Sequence, residues 1–197
     1  MKKISWPAAV AAIIGPIQSV LGWVISAALW PGYDPIAKTI SDLAADDSPV
    51  QAIQTSFFVL GGTLSLVAAV YARSLSMPGR VLIFLGGLAT YGFAYFTTPS
   101  QDGHSDMHRY FAIASFVLFS AWPIFSMRLN KQYPWVLRPS GAIVSTIGFT
   151  LISLWFLSTW TNPDATNVGL VERVIATAQT TYLSLVIWIC WLAGKRS

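Results

Sequence analysis

The chain has few charged residues for its length. Only 10% of its 197 residues are Asp, Glu, Lys or Arg, whereas a soluble domain carries about a quarter. A single cysteine, Cys190, excludes an intramolecular disulfide. Only two histidines are present, His104 and His108, so a metal centre built on three histidines is excluded as well. These shortages argue against a soluble domain, a disulfide scaffold and a trihistidine zinc enzyme.

Long apolar blocks take the place of the missing charge. Hydrophobic residues make up 54% of the chain and the mean hydropathy is +0.58. A helix needs about 20 apolar residues to cross a hydrocarbon core of about 30 Å. We therefore predict one integral membrane domain over residues 1–197, an all-α bundle of six transmembrane helices. The predicted spans are residues 4–30, 50–72, 81–97, 108–127, 141–160 and 169–193.

The charged residues divide between the two sides of these spans. The N-terminus, the second and fourth loops and the C-terminus hold only bases: Lys2, Lys3, Arg73, Arg80, Arg128, Lys131, Arg138, Lys195 and Arg196. The first, third and fifth loops hold every acid: Asp34, Asp42, Asp46, Asp47, Asp102, Asp106, Asp164 and Glu172. The positive-inside rule then predicts cytoplasmic termini and outward-facing acidic loops. The pI near 9.4 is thus a signal of topology and not of nucleic-acid binding.

The first acidic loop carries a helical pattern of its own. Asp34 is a candidate N-cap and Pro35 a candidate first helical residue. Ile36, Ile40 and Leu43 follow at helical spacing with polar residues between them. We predict a short amphipathic helix that lies at the outer membrane interface.

Three segments resemble a family of polytopic prokaryotic membrane proteins known as domain of unknown function 998. They are "YDPIAKTISDLAA", "HRYFAIASFVLFSAWPI" and "GLVERVIATAQTTYLSLVIW". The family's motif positions correspond here to Ser41, Asp42, His108, Glu172 and Arg173. The resemblance implies a multi-pass protein of the cell (inner) membrane with a shared outer polar cluster, and it implies no established activity.

The histidine spacing raises the question of a metal site. His104 and His108 would share one face of a helix and could hold a divalent ion such as zinc, with Asp106 as a further candidate ligand. On a helix Asp106 would point away from the two histidines, so a third ligand would then come from Asp42, Glu172 or another acidic residue of the loops. The alternative is that Ser105 or Asp106 caps the fourth span, which leaves His104 in water outside the helix.

Acid–base chemistry is the second hypothesis for the same region. Histidine is the most frequent general acid or base, and His108 with Asp42 or Glu172 could hydrolyse a lipid ester or amide. The seven-helix ceramidases and adiponectin-receptor-like hydrolases also combine serine, aspartate and histidine. Those enzymes use three zinc-binding histidines, which this chain lacks.

The last span begins with a charged pair and continues with a polar stripe. Glu172, Ala176 and Gln179 fall on one helix face, so the stripe would run inward from the outer surface. Charges in a span point to function, although Glu172 could simply complement the helix dipole while Arg173 reaches the headgroups. Deeper glutamines, including Gln18 and Gln179, are expected to form interhelical hydrogen bonds.

The leading prediction is an outward-facing pocket that binds a lipid-like or small amphipathic ligand. Its proposed members are Asp42, His104, Asp106, His108, Glu172 and Arg173, with ligand contacts from Ser41, Arg109, Arg173 and Gln179. A membrane-embedded hydrolase and an accessory subunit of a membrane complex remain alternatives. The lipid bilayer is the expected surrounding, and a homo-oligomer or a partner subunit could complete the assembly.

Overall fold

A computed structural model describes residues 4–101 and 103–195, and these residues form six long α-helices. The helices are α1 (Trp6–Ala28), α2 (Gln51–Tyr71), α3 (Met77–Tyr95), α4 (Asp106–Phe125), α5 (Pro139–Trp160) and α6 (Val168–Lys195). Two short 3₁₀ helices, Asp42–Ala44 and Trp135–Leu137, lie in loops, and the described part of the chain contains no strand. The all-α prediction is confirmed. Four helices, α1, α2, α5 and α6, are long and apolar enough to cross a membrane.

Local sequence explains several helix boundaries. Ser105 is the N-cap of α4, where its Oγ accepts a hydrogen bond from the backbone N–H of His108 at 3.3 Å. Helices α3 and α5 each begin with a proline in the first turn, where no backbone N–H is needed. Pro16 and Pro123 lie inside α1 and α4 and do not end either helix, as is tolerated in membrane helices.

Consecutive helices pack against each other around the bundle, and α6 packs back against α1. Neighbouring helices run antiparallel, since Ser5 before α1 bonds to Tyr71 at the end of α2, and Ser76 before α3 bonds to Phe125 at the end of α4. We call the end with the α1–α2, α3–α4 and α5–α6 connections the acidic end, and the opposite end the basic end. The best-packed core lies toward the basic end, where Leu75, Trp122, Leu137 and Ile187 are almost fully buried. Lys2, Lys3, Asp102 and Arg196, used in the charge argument, lie outside the described residues.

The connection between α1 and α2 differs from the prediction. Asp34 does accept hydrogen bonds from following amides, at 2.8 Å from the N–H of Ile36, but no α-helix continues from it. Residues 34–47 instead form turns and the 3₁₀ helix Asp42–Ala44. Ile40 and Leu43 are buried in the protein, so the predicted amphipathic α-helix is wrong for this segment.

Candidate functional site

A cavity of about 150 Å³ lies between α1, α2, α3, α4 and α6. Small and apolar side chains form much of its wall, and Ile40 and Ser41 of the first loop line its acidic end. Along α6 the lining runs from Glu172 to Ile187, which is about 22 Å of helix. Among the described residues, none from α5 lines the cavity. The space is therefore elongated and runs from the acidic end deep into the bundle.

Glu172 places a carboxylate at the acidic end of this cavity. Its side chain is on the cavity wall and the residue is only 6% exposed. The Oε2 atom accepts a hydrogen bond from the backbone N–H of Ile40. Ala176 and Gln179 line the cavity below it, so the predicted polar stripe on α6 faces the cavity.

Arg173 binds the first loop to the start of α6. Its Nη1 donates hydrogen bonds to the backbone carbonyls of Pro35 and Lys38, both at 2.8 Å, and to that of Gly169 at 2.9 Å. The guanidinium also lies over the ring of Trp23, 5.3 Å from its centroid. Arg173 is 6% exposed, so its guanidinium is held inside the protein and does not extend toward the lipid headgroups. Its charge is used inside the protein to shape the loop.

Tyr33 completes this arrangement. Its hydroxyl accepts a hydrogen bond from Arg173 Nη2 at 2.7 Å and lies within hydrogen-bond distance of the carbonyls of Lys38 and Thr39. Burial raises the pKa of Tyr33, and the neighbouring Arg173 charge opposes that effect. Because these side chains take up the carbonyls that a helix would need, the segment after Asp34 stays a series of turns.

His108 is buried and both of its ring nitrogens have partners. Nδ1 lies 3.0 Å from the carbonyl oxygen of Phe93 and 2.9 Å from that of Phe96. Both partners are acceptors, so Nδ1 carries the proton, and Nε2 of the neutral ring is an acceptor. Ser41 Oγ lies 3.0 Å from Nε2 and can donate its proton to it, and the same hydroxyl also hydrogen-bonds with the side chain of Glu172. His108 thus caps the carbonyls at the end of α3 and holds Ser41.

Asp42 shapes the loop beside this pair. Its Oδ2 accepts a hydrogen bond from the N–H of Thr39 at 2.7 Å, and its own N–H donates to Thr39 Oγ1 at 3.1 Å. This reciprocal pair fixes the turn that presents Ser41 to the cavity. The catalytic role suggested for Asp42 stays a prediction.

His104, Asp106 and Arg109 lie apart from the cavity. His104 Nε2 is 2.7 Å from Asp106 Oδ1, and both side chains are more than 60% exposed. Arg109 Nη2 lies 3.9 Å from the same carboxylate, and its guanidinium is over the ring of Trp160. His104 precedes α4, so the expected i, i+4 pairing with His108 does not form.

The metal hypothesis gains no support from these positions. The described residues contain no group of three His, Cys, Asp or Glu side chains arranged to hold a metal ion. His108 bonds to Ser41 and to backbone carbonyls, whereas His104 bonds to Asp106. The donor set proposed for zinc is therefore divided between two places.

Three glutamines line the cavity and differ in their bonding. Gln179 Nε2 donates to the carbonyl of Phe116 and to Ser120 Oγ, both at 2.9 Å, which joins α6 to α4 as expected. Gln18 and Gln54 are 7% and 2% exposed. Their Oε1 atoms are buried and have no hydrogen-bond partner among the described residues. Two acceptors inside the bundle are thus left for something else to satisfy.

Comparison with known proteins identifies a family and no activity. No curated protein and no solved structure matches the chain. A family model described as "Protein of unknown function (DUF998)" matches residues 13–189. That range includes the cavity's Gln18, Gln54, Glu172 and Gln179 as well as Ser41 and His108. The chain therefore belongs to the DUF998 family of proteins of unknown function.

Proposed function

We propose that this protein crosses a cell membrane six times and holds an elongated, lipid-like molecule in its central cavity. The apolar part of the ligand would lie along the cavity, and its polar head would reach Glu172 at the acidic end. The termini would be cytoplasmic and the acidic end would face outward. The observation that carries the proposal is an elongated cavity between five helices, with two buried acceptors on its wall that have no partner among the described residues.

The charge distribution supports this orientation. Among the described residues, every acidic residue belongs to the acidic end and most of the basic residues belong to the opposite end. The positive-inside rule places such basic ends in the cytoplasm. Helices α3 and α4 have 19 and 20 residues, which is long enough to cross the hydrocarbon core beside the four more apolar helices.

The chemistry of the wall defines the ligand class. Glu172 offers a carboxylate, and Gln18 and Gln54 offer amide oxygens that accept hydrogen bonds. A matching ligand carries hydrogen-bond donors, such as hydroxyl, amide or amine groups, on an otherwise apolar chain. A buried acceptor without a partner costs about 1–3 kcal/mol, so such a ligand would gain affinity by satisfying these atoms.

Native mass spectrometry of the protein released gently from detergent tests this proposal. We expect the wild type to carry a lipid-sized adduct. The variant Ala176→Phe should lose it, because Ala176 lines the cavity between Glu172 and Gln179 and the larger ring would occupy the space. Ile147→Phe is the matched control, since Ile147 is exposed on α5, away from the cavity.

The outcomes separate the proposal from its rival. Adducts that persist in Ala176→Phe as in Ile147→Phe would contradict ligand binding in the cavity. A bare protein in every sample would favour an accessory subunit of a membrane complex. That second candidate draws on the closed hydrogen-bond network of Arg173 with the first loop, which seals this end without a ligand.

A further inference from the structure

Ser41 and His108 have the geometry of an activated nucleophile. The Ser41 hydroxyl lies 3.0 Å from His108 Nε2, within the range in which a base can take its proton. The opposite ring nitrogen, Nδ1, is held by the carbonyls of Phe93 and Phe96. These carbonyls fix both the tautomer and the orientation of the ring, as a third group does in other nucleophile–base pairs.

The position of the pair relative to the cavity adds a second, independent observation. Ser41 is part of the cavity wall, whereas His108 does not appear among the described residues that line it. Ser41 is therefore placed at the cavity, with His108 Nε2 3.0 Å from its hydroxyl oxygen. His108 is 6% exposed, so the imidazole is shielded from bulk water. This is the arrangement that an attack on a molecule inside the cavity requires.

We propose that Ser41 and His108 are the nucleophile and general base of an esterase acting at the acidic end of the cavity. The substrate class is an ester of a long-chain acid, with its chain along the cavity and its alcohol carrying further hydroxyl groups near Glu172. The placing of that chain rests on the proposed ligand binding. The chemistry of the pair rests on its own geometry.

The reaction balances with water as the only co-reactant. His108 Nε2 takes the hydroxyl proton while Ser41 Oγ forms a bond to the ester carbonyl carbon. The bond from that carbon to the alcohol oxygen then breaks, and because His108 does not line the cavity, a water molecule passes the proton from His108 to the leaving alcohol. A water molecule, deprotonated by His108, next attacks the acyl-serine. The acid leaves and Ser41 Oγ recovers its proton.

Alkyl fluorophosphonates provide the test, because an activated serine displaces their fluoride and keeps the phosphonyl group. The purified protein in detergent would be treated with octyl and methyl probes and followed by intact mass. We expect one phosphonyl group on the wild type, mapped to Ser41 by peptide analysis, and none on Ser41→Ala. His108→Gln should label at least about a hundredfold more slowly. Its amide can still donate to the carbonyls at the end of α3, which limits damage to the fold.

His104→Gln is the matched control, since His104 is the other histidine and bonds only to the exposed Asp106 in the described residues. Its labelling should equal that of the wild type. No adduct on the wild type, or an adduct on another residue, would overturn the proposal without reference to any variant. Equal labelling of His108→Gln and wild type would overturn the role of the base.

The probes also separate this inference from the proposed function. Faster labelling by the octyl than by the methyl probe is expected if the chain occupies the cavity. If the octyl and methyl probes label Ser41 at equal rates, Ser41 would still be a reactive nucleophile, but the binding of a long chain in the cavity would be contradicted. If native spectra show a lipid adduct but the probes do not phosphonylate the protein, the proposed nucleophile would be contradicted and the proposed lipid binding would stand.

Discussion

The two ends of the bundle differ in how far they bury their charged residues. At the basic end, Arg80 Nη2 donates to the carbonyl of Val70 at 2.6 Å, and Arg128 Nη2 donates to that of Leu75 at 2.8 Å. Both arginines bond near the end of α2 and remain partly exposed. At the acidic end, Glu172 and Arg173 are each only 6% exposed. The basic end leaves these two arginines partly exposed, whereas the acidic end encloses Glu172 and Arg173, although its other acids, such as Asp34 and Asp106, are exposed.

This difference supports the proposal that the acidic end is the functional part of the molecule. Partly solvated arginines that cap helix ends stabilise the fold and set topology at little desolvation cost. Enclosing a carboxylate and a guanidinium costs more, and such groups in a membrane protein are functional by default. The acidic end also holds two polar residues of the cavity wall, Ser41 and Glu172. We therefore expect substitutions at the acidic end to have larger effects and to alter ligand binding.

The largest effect is expected for Arg173→Met. Its loss would leave the buried carbonyls of Pro35 and Lys38 without their donor, and hydrogen bonds to charged groups contribute about 1.5–3 kcal/mol each. We expect the free energy of unfolding in detergent to fall by about 3 kcal/mol or more. Arg80→Met at the basic end is the control and should cost about 1 kcal/mol. Equal losses of unfolding free energy in the two variants would contradict the proposed difference between the two ends.

Gly169→Ala should have the next largest effect. A Cβ atom there would collide with the carbonyl of Lys38 and lie 2.9 Å from Arg173 Nη1. The strain should cost about 1–3 kcal/mol, as overpacking does, and should loosen the first loop. Gly148→Ala on α5 is the control, because no described atom lies within 4 Å of its added Cβ. The free energy of unfolding of that variant should rise by about 0.5–1 kcal/mol, because alanine favours a helix more than glycine does. Thermal unfolding in detergent measures both, and a neutral Gly169→Ala would show that the contact is not tight.

The glutamines of the cavity should respond in opposite directions. Gln54→Leu removes a buried acceptor that has no partner in the described residues, so the lipid-free protein should gain about 1 kcal/mol. Its lipid adduct in native spectra should become weaker. Gln179→Leu removes an amide that bonds to Phe116 and Ser120 and should lose about 1–2 kcal/mol. Loss of stability in both variants would mean that Gln54 is satisfied inside the protein.

The smallest effect is a pH dependence at Tyr33. Burial raises the pKa of its hydroxyl in the folded protein, whereas the unfolded chain ionises near pH 10. The stabilisation from the neutral hydroxyl is complete below about pH 10 and declines as pH rises further. The wild type should therefore lose unfolding free energy above pH 10 more steeply than Tyr33→Phe. Tyr110→Phe, which removes an exposed hydroxyl, is the control, and identical slopes for all three proteins would contradict the prediction.

The sequence was sufficient for features that depend on local pattern. Apolar blocks predicted the six helices, and helical spacing predicted that Glu172, Ala176 and Gln179 share a face. The sequence allowed either a Ser105 cap, which leaves His104 outside α4, or a helix that includes both histidines, and the structure has the Ser105 cap. Each of these follows from residues within a few positions of one another.

Features that depend on distant contacts could not be predicted. Residues 34–47 have a helical pattern, but Arg173, which is 135 positions from Lys38, takes the carbonyl oxygens that a helix would use. Ser41 and His108 were both candidates, yet their pairing spans 67 positions and has no signal in one sequence. The same holds for the cavity, which exists only once five helices surround it.

Photochemical labelling tests the central claim, that a lipid chain lies inside the bundle, most directly. The protein would be produced in cells given a fatty acid with a mid-chain diazirine, irradiated in the membrane, and digested for peptide mapping. We predict adducts on buried residues of the cavity wall, such as Ala12, Gln54 and Ala68, and their loss in Ala176→Phe. Adducts confined to exposed residues such as Ile147 and Leu151, unchanged in that variant, would contradict the account.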